Sequence, residues 1–92
     1  MSGLAVEDVL QSKGRIKILK VLARELEVNI SEIVRRVHLN HSSVRYHLHH
    51  LVQADLVQEK VFGRIRIYRF RIETIRARAL LNLFDVWESN HL

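Results

Sequence analysis

Between Ile16 and Leu26 the apolar positions recur at helical spacing. Ile16, Ile18, Leu19, Leu22, Ala23 and Leu26 share one broad face, while Arg15, Lys17 and Arg24 lie elsewhere. That face has to be buried, and Ser12 is placed to cap a helix running from Lys13 to about Leu26. A shorter helix over Val6 to Gln11 precedes it. After Glu27 the β-prone stretch "VNI" suits a brief strand. Ser31 is then a good N-cap for a helix that turns Ile33, Val34 and Val37 inward. In "HLN", His38 ends that helix, Leu39 plugs the core beneath the corner and Asn40 caps the next helix. Three residues suffice for a tight turn.

The next helix is expected from about His41 to Ala54. At roughly 100° per residue, Val44, Leu48 and Leu51 fall on its inner side. Ser42, Arg45, Tyr46, His49 and Gln53 fall opposite, with Ser43 and His50 on a flank. The period then drops to two. "LVQEKVFGRIRIYRF" has two β-rich arms, Val57 to Phe62 and Ile65 to Phe70, joined by Gly63 and Arg64, where glycine supplies the positive φ of a two-residue turn. In the second arm Ile65 and Ile67 alternate against Arg66, Tyr68 and Phe70, so both faces carry apolar side chains and one packs on the body. Helical spacing returns after Phe70. Ile72, Ile75, Ala79, Leu80, Leu83, Phe84, Val86 and Trp87 cover about half the circumference, wider than the stripe of roughly 100° that a surface helix buries. A second copy of the chain would cover the surplus through Ile75, Ala79, Leu80, Leu83, Phe84 and Trp87. The other reading is that this helix folds back on its own domain.

Composition narrows the class. Ninety-two residues without proline, repeat or low-complexity linker read as one domain over positions 1–92. The absence of cysteine removes disulfides and thiolate metal sites, which leaves dimerisation as the supplement to a small core. No apolar run reaches the length of about 18 that suggests a membrane span, and the first residues lack the blocks of a signal peptide, so the cytoplasm is expected. The net charge of +5 and a pI near 10.2 favour an acidic partner. The charge is concentrated: Arg35 to Arg71 holds eight Arg or Lys against Asp55 and Glu59, while the rest of the chain holds seven against eight. No Gly-rich phosphate loop, cysteine nucleophile or Ser-His-acid spacing points to an enzyme.

"GRIKILKVL" (Gly14 to Leu22), "NISEIVRRVHLNHSSVRYHLHHLVQADLV" (Asn29 to Val57) and "GRIRIYRF" (Gly63 to Phe70) together span most of the chain. In that order they resemble a winged helix-turn-helix of the ArsR-like superfamily of prokaryotic repressors. The resemblance implies a mainly α fold with a small β-hairpin (α+β): helix-turn-helix over about 31–54, wing over about 56–71 and a C-terminal dimerisation helix over about 72–90. It also implies a homodimeric transcriptional regulator of double-stranded DNA, with the helix from His41 in the major groove and the wing on phosphate or in the minor groove. Two departures stand out. His38 occupies a turn position often filled by glycine, and the cysteines that many metal-sensing members carry near the recognition helix are missing.

Arg45 is the leading base reader, because its planar fork can donate twice to guanine. Ser42, Ser43, Tyr46 and His49 are further base-edge or phosphate candidates. Arg35, Arg36, Lys60, Arg64 and Arg66 are phosphate candidates, with Arg64 at the wing tip also suited to the minor groove. Four histidines in "NHSSVRYHLHHL" raise the question of a metal. Only His47 and His50 have the i, i+3 spacing, too few for zinc, and the Asp85, Glu88, His91 series reads more simply as a polar face. His47, near the core boundary, is expected to be packed. No metal, cofactor or small-molecule effector is therefore expected. The alternative partners are RNA or another protein, since the fold alone does not dictate the ligand.

Overall fold

The computed structural model describes residues 5–89. Five helices and three strands follow one another as α1 (Val6–Leu10), α2 (Lys13–Glu25), β1 (Glu27–Asn29), α3 (Ile30–Val37), α4 (His41–Gln53), β2 (Val57–Phe62), β3 (Ile65–Phe70) and α5 (Ile75–Ser89). The result is an α+β winged-helix fold.

Local chemistry sets most boundaries. Ser12 caps α2 as expected, its hydroxyl accepting from the Arg15 N–H at 3.2 Å. The helix stops where Leu26 turns to φ 69° and donates its N–H to the Leu22 carbonyl at 2.7 Å. Leu26 is consequently exposed rather than part of the buried face, because it terminates the helix instead of continuing it. α3 starts two residues earlier than Ser31 predicts. Asn29 is the cap, its side-chain oxygen accepting from the Glu32 N–H at 2.9 Å, and Ser31 lies exposed inside the first turn. The corner follows expectation: His38 adopts φ 58°, Leu39 packs against the core, and Asn40 Oδ1 accepts from the Ser43 N–H at 2.8 Å.

The expected hairpin is one strand short of the sheet that forms. β1 pairs antiparallel with β3, giving the order β1-β3-β2 with Val28 opposite Tyr68. Phe62 pairs with Ile65 across the turn, where Gly63 has φ 61°. α5 begins at Ile75, later than the apolar pattern from Ile72 suggests, because the Thr74 hydroxyl accepts from the Ala77 N–H at 3.2 Å.

The core joins Ile18, Leu19 and Leu22 of α2 to Ile33 of α3, Val44, Leu48 and Leu51 of α4, and Val57, Tyr68 and Phe70 of the sheet. Each such large side chain contributes about 1.5–3 kcal/mol by leaving water, so Leu48→Ala in this cluster should cost about 2–5 kcal/mol. α5 contributes much less. Of its residues only Ala77 is buried, with Leu80, Leu81 and Phe84 partly packed. Ile75 and Trp87 remain 77% and 78% exposed. The helix thus rests one edge on the domain and leaves a second apolar edge uncovered. Among the described residues no helix is long and apolar enough to cross a membrane. Residue 90, the expected end of the last helix, and His91 of the acidic series lie outside the described residues.

Candidate nucleic-acid interface

The outward face of α4 follows from its inner one. With Val44, Leu48 and Leu51 fully buried, Ser42, Arg45, Tyr46, His49 and Gln53 are turned to solvent, and Ser43 and His50 are half-buried on the flank. The five base-reading candidates are not equivalent. The Ser42 hydroxyl donates to Asn40 Oδ1 at 2.9 Å, which engages it in the helix cap, and Ser43 also faces that cap through its N–H. Arg45 and His49 line a cleft of about 150 Å³ with Val52 and the wing residues Glu59, Arg66 and Tyr68. The wing is therefore built against the outward face of α4.

Glu59 organises that junction, and the sequence reading did not single it out. Its carboxylate accepts from the Tyr68 hydroxyl at 2.6 Å and from Arg66 at 3.0 Å. The Tyr68 hydrogen bond, followed by Arg66 and the nearby Arg45, holds the Glu59 carboxyl below its ordinary range despite partial burial. Burial, then the Glu59 contact, pushes the Tyr68 phenol up to about 12. The signal available in the sequence was an acid in an otherwise basic ribbon, on the same strand face as Val57.

The remaining cations sort by what holds them. On α3, Arg35 pairs with Glu32, its Nε donating at 3.2 Å, while Arg36 reaches Glu32 at 2.8 Å and Glu25 at 2.7 Å. The Glu32 carboxyl is lowered first by its hydrogen bond from Arg35 and then by that from Arg36. On the sheet, Lys60 meets Glu27 at 3.5 Å, and Glu73 binds Arg69 at 2.9 Å and Arg71 at 3.1 Å. Arg69, then the residue's own backbone, then Arg71 bring the Glu73 carboxyl down to about 2. Much of the positive charge between Arg35 and Arg71 is thus met by acids from outside that segment. Arg45 and Arg64 differ, being exposed and in no salt bridge among the described residues. Arg64 stands at the tip of the wing, with Phe62 and Ile65 exposed beside it.

Arg15 departs most from the sequence reading, which put it on the outer side of α2. It is 5% exposed. Helix α1 covers the start of α2, so Arg15 Nη1 donates to the Asp8 carbonyl at 2.9 Å, while Nε donates to His47 Nδ1 at 3.1 Å. Its guanidinium carbon also lies 6.0 Å from the centre of the Tyr46 ring. Gly14 permits this approach: a Cβ there would come within 2.9 Å of Leu39 Cδ1 and 3.3 Å of His47 Nε2. His47 is half-buried, in keeping with its expected packing. Desolvation, then the Arg15 charge, then His50 lower its pKa from the ordinary 6.5. Tyr46 meets His50 edge-on at 4.6 Å, and His49 lies 5.7 Å from His50. Among the described residues no three metal-ligating side chains are grouped.

Residues 12–59 match the sequence profile of the family described as "Bacterial regulatory protein, arsR family". Three solved structures share the fold. HlyU from Vibrio cholerae N16961 superposes with a TM-score of 0.78 at 20% identity, over 92% of this chain and 89% of that one. The AntR antimony-specific transcriptional repressor gives 0.75 at 20% identity, over 89% of this chain and 72% of that one. NolR from Sinorhizobium fredii gives 0.72 at 19% identity, over 96% and 97%. No curated protein sequence matches the chain.

Proposed function

Because this chain belongs to the arsR family of bacterial regulatory proteins, whose members are DNA-binding transcriptional regulators and not enzymes, we propose that it acts in the cytoplasm as a homodimer reading a pseudo-palindromic duplex. α4 enters the major groove, where Arg45 reads guanine and Tyr46 and His49 add contacts to base edges or phosphate. Ser42 and Ser43 approach the backbone from the first turn of the same helix. The wing lies along the flanking backbone, with Arg64 on phosphate or in the minor groove and Lys60 and Arg66 supporting it. Arg35 and Arg36 add positive potential at the edge of the site.

The observation that carries this reading is the pairing of an exposed, unbridged Arg45 on α4 with an exposed, unbridged Arg64 at the wing tip. Both are available to a polyanion without breaking a salt bridge. The uncovered edge of α5 supports the dimer. Ala79, Leu80 and Leu83 line one wall of an apolar groove whose other wall is Val6, Val9 and Leu10 of α1. A second copy would add its Ile75, Phe84 and Trp87 around that groove, since a two-fold interface uses the same patch on both subunits. Two such subunits set their α4 helices about 34–36 Å apart, one turn of duplex.

Selection of bound duplexes from a random pool tests partner, symmetry and base preference together. The expected product is two inverted half-sites with a guanine contacted in each. Recovery of a single asymmetric half-site overturns the dimer, and tighter binding of structured RNA than of any duplex at matched salt overturns the DNA reading.

A further inference from the structure

We propose that Arg15 and His47 are positioning residues for the DNA-reading face: Arg15 clamps the neutral imidazole of His47, and the clamp fixes the setting of α4 in which Arg45 and Tyr46 are presented. The proposal rests on the reading of α4 as the DNA-contacting helix.

A buried guanidinium normally sits against a carboxylate, because an uncompensated charge away from water is costly. Among the described residues the hydrogen-bond partners of Arg15 are instead the His47 ring and a main-chain carbonyl. Each acceptor is therefore needed. Donation from Nε to Nδ1 requires a lone pair on Nδ1, so the ring is neutral with its hydrogen on Nε2. A proton on Nδ1 would turn the acceptor into a donor and set two cations 3.1 Å apart.

The surroundings of His47 offer the imidazolium no relief. Arg15 of α2 and His50 of α4 both disfavour a proton there. The Tyr46 ring meets His47 edge-on at 5.5 Å, and from α2 Gly14 comes close with no side chain at all. Asp8 of α1 meets Arg15 through its carbonyl while its carboxylate accepts from the Ala5 N–H at 3.2 Å. The folded-state pKa of His47 is lowered, so the clamp is complete above the ordinary value of 6.5 and is lost as pH falls through the lowered one.

The clamp lies next to the reading face. Arg15 is hydrogen-bonded to His47 and sits 6.0 Å from the centre of the ring of the preceding residue, Tyr46, which is exposed beside Arg45. A rotation of α4 by about 10–20° is enough to spoil a bidentate contact. Positive charge added near phosphate by acid would strengthen binding, the opposite of what loss of the clamp does. The sign of the pH response therefore separates the clamp from a surface effect.

The test is the affinity of the full chain for a selected duplex, read by fluorescence anisotropy from about pH 7.5 to about pH 5, with folding followed by circular dichroism. His47→Asn places an amide oxygen close to the position of Nδ1 and cannot be protonated, whereas His47→Ala supplies no acceptor. The wild type should lose about tenfold in affinity on acidification, the scale of one hydrogen bond to a charged group. His47→Asn should match it at neutral pH and show no acid loss, and folded His47→Ala should be about tenfold weaker at neutral pH. The proposal is overturned if His47→Asn keeps the acid loss, if the wild type tightens in acid, or if folded His47→Ala binds like the wild type. Should either His47 variant fail to fold, Arg15→Met decides: it keeps an unbranched stem but has no donor for either acceptor, and wild-type binding by that folded variant overturns the clamp. A wild type that binds no duplex at any pH overturns the DNA reading, and the clamp with it. Normal duplex binding with an unchanged pH profile in His47→Asn overturns the clamp alone.

Discussion

Arg35 and Arg36 on α3 and Arg45 and Arg64 on α4 and the wing are the same side chain in the same basic half of the chain, yet they differ in what already holds them. The α3 pair shares the Glu32 carboxylate, and Arg36 adds Glu25. Arg45 and Arg64 are in no salt bridge among the described residues. A guanidinium in a salt bridge must release its acid, or bring that acid along, before it meets a phosphate. An unbridged one does neither. Counting arginines along a sequence therefore overstates the charge that a polyanion meets, and the difference lies in acids that the fold delivers from elsewhere.

The contrast can be broken or sharpened by substitution. Arg45→Ala should have the largest effect, a loss of about 1–3 kcal/mol at the preferred duplex together with relaxed choice at one or two base pairs. Competition between the preferred site and its single-base variants measures it, and an unchanged preference would remove Arg45 from the reading role. Arg64→Ala should come next, weakening all duplexes alike and lowering the slope of log affinity against log salt by about one. A smaller effect is expected of Glu32→Gln, which releases Arg35 and leaves Arg36 held by Glu25 alone. Non-specific duplex binding at low salt should tighten a few-fold, and no change would mean that Arg35 stays clear of the backbone even when it is free. Arg36→Ala should alter duplex affinity least. Titration offers a check on the same pairs: the lowered Glu32 carboxyl keeps them intact above its ordinary pKa of 4.5, and they are lost as pH falls through the lowered value.

Much of the architecture was legible because it rests on periodicity and on local caps. The burial of Val44, Leu48 and Leu51 follows from spacing alone, and Ser12, Asn40 and Gly63 do what their side chains or lack of one suggest. What escaped depends on contacts between distant parts of the chain. Asn29 and Ser31 are both good caps. The choice falls on Asn29 where pairing with Ile67 of β3 already holds its backbone extended. Arg15 lies off the apolar stripe of α2, and only the arrival of α1 and α4 around it makes that position interior. Glu25 and Glu27 precede the basic segment in sequence but meet Arg36 and Lys60 in space. At the candidate site, side-chain type identified the exposed stripe of α4, whereas the role of Glu59 required the strand register that sets it opposite Tyr68.

Trp87 is the chain's single tryptophan, and it lies on the uncovered edge of α5. An indole surrounded by water emits at longer wavelength than one enclosed by apolar neighbours, so the molecule carries its own optical gauge of self-association. Its emission should move to the blue as protein concentration rises, with no label attached and no DNA present. A spectrum unchanged by dilution across the range in which light scattering records a change of mass would place the subunit contact away from this part of α5.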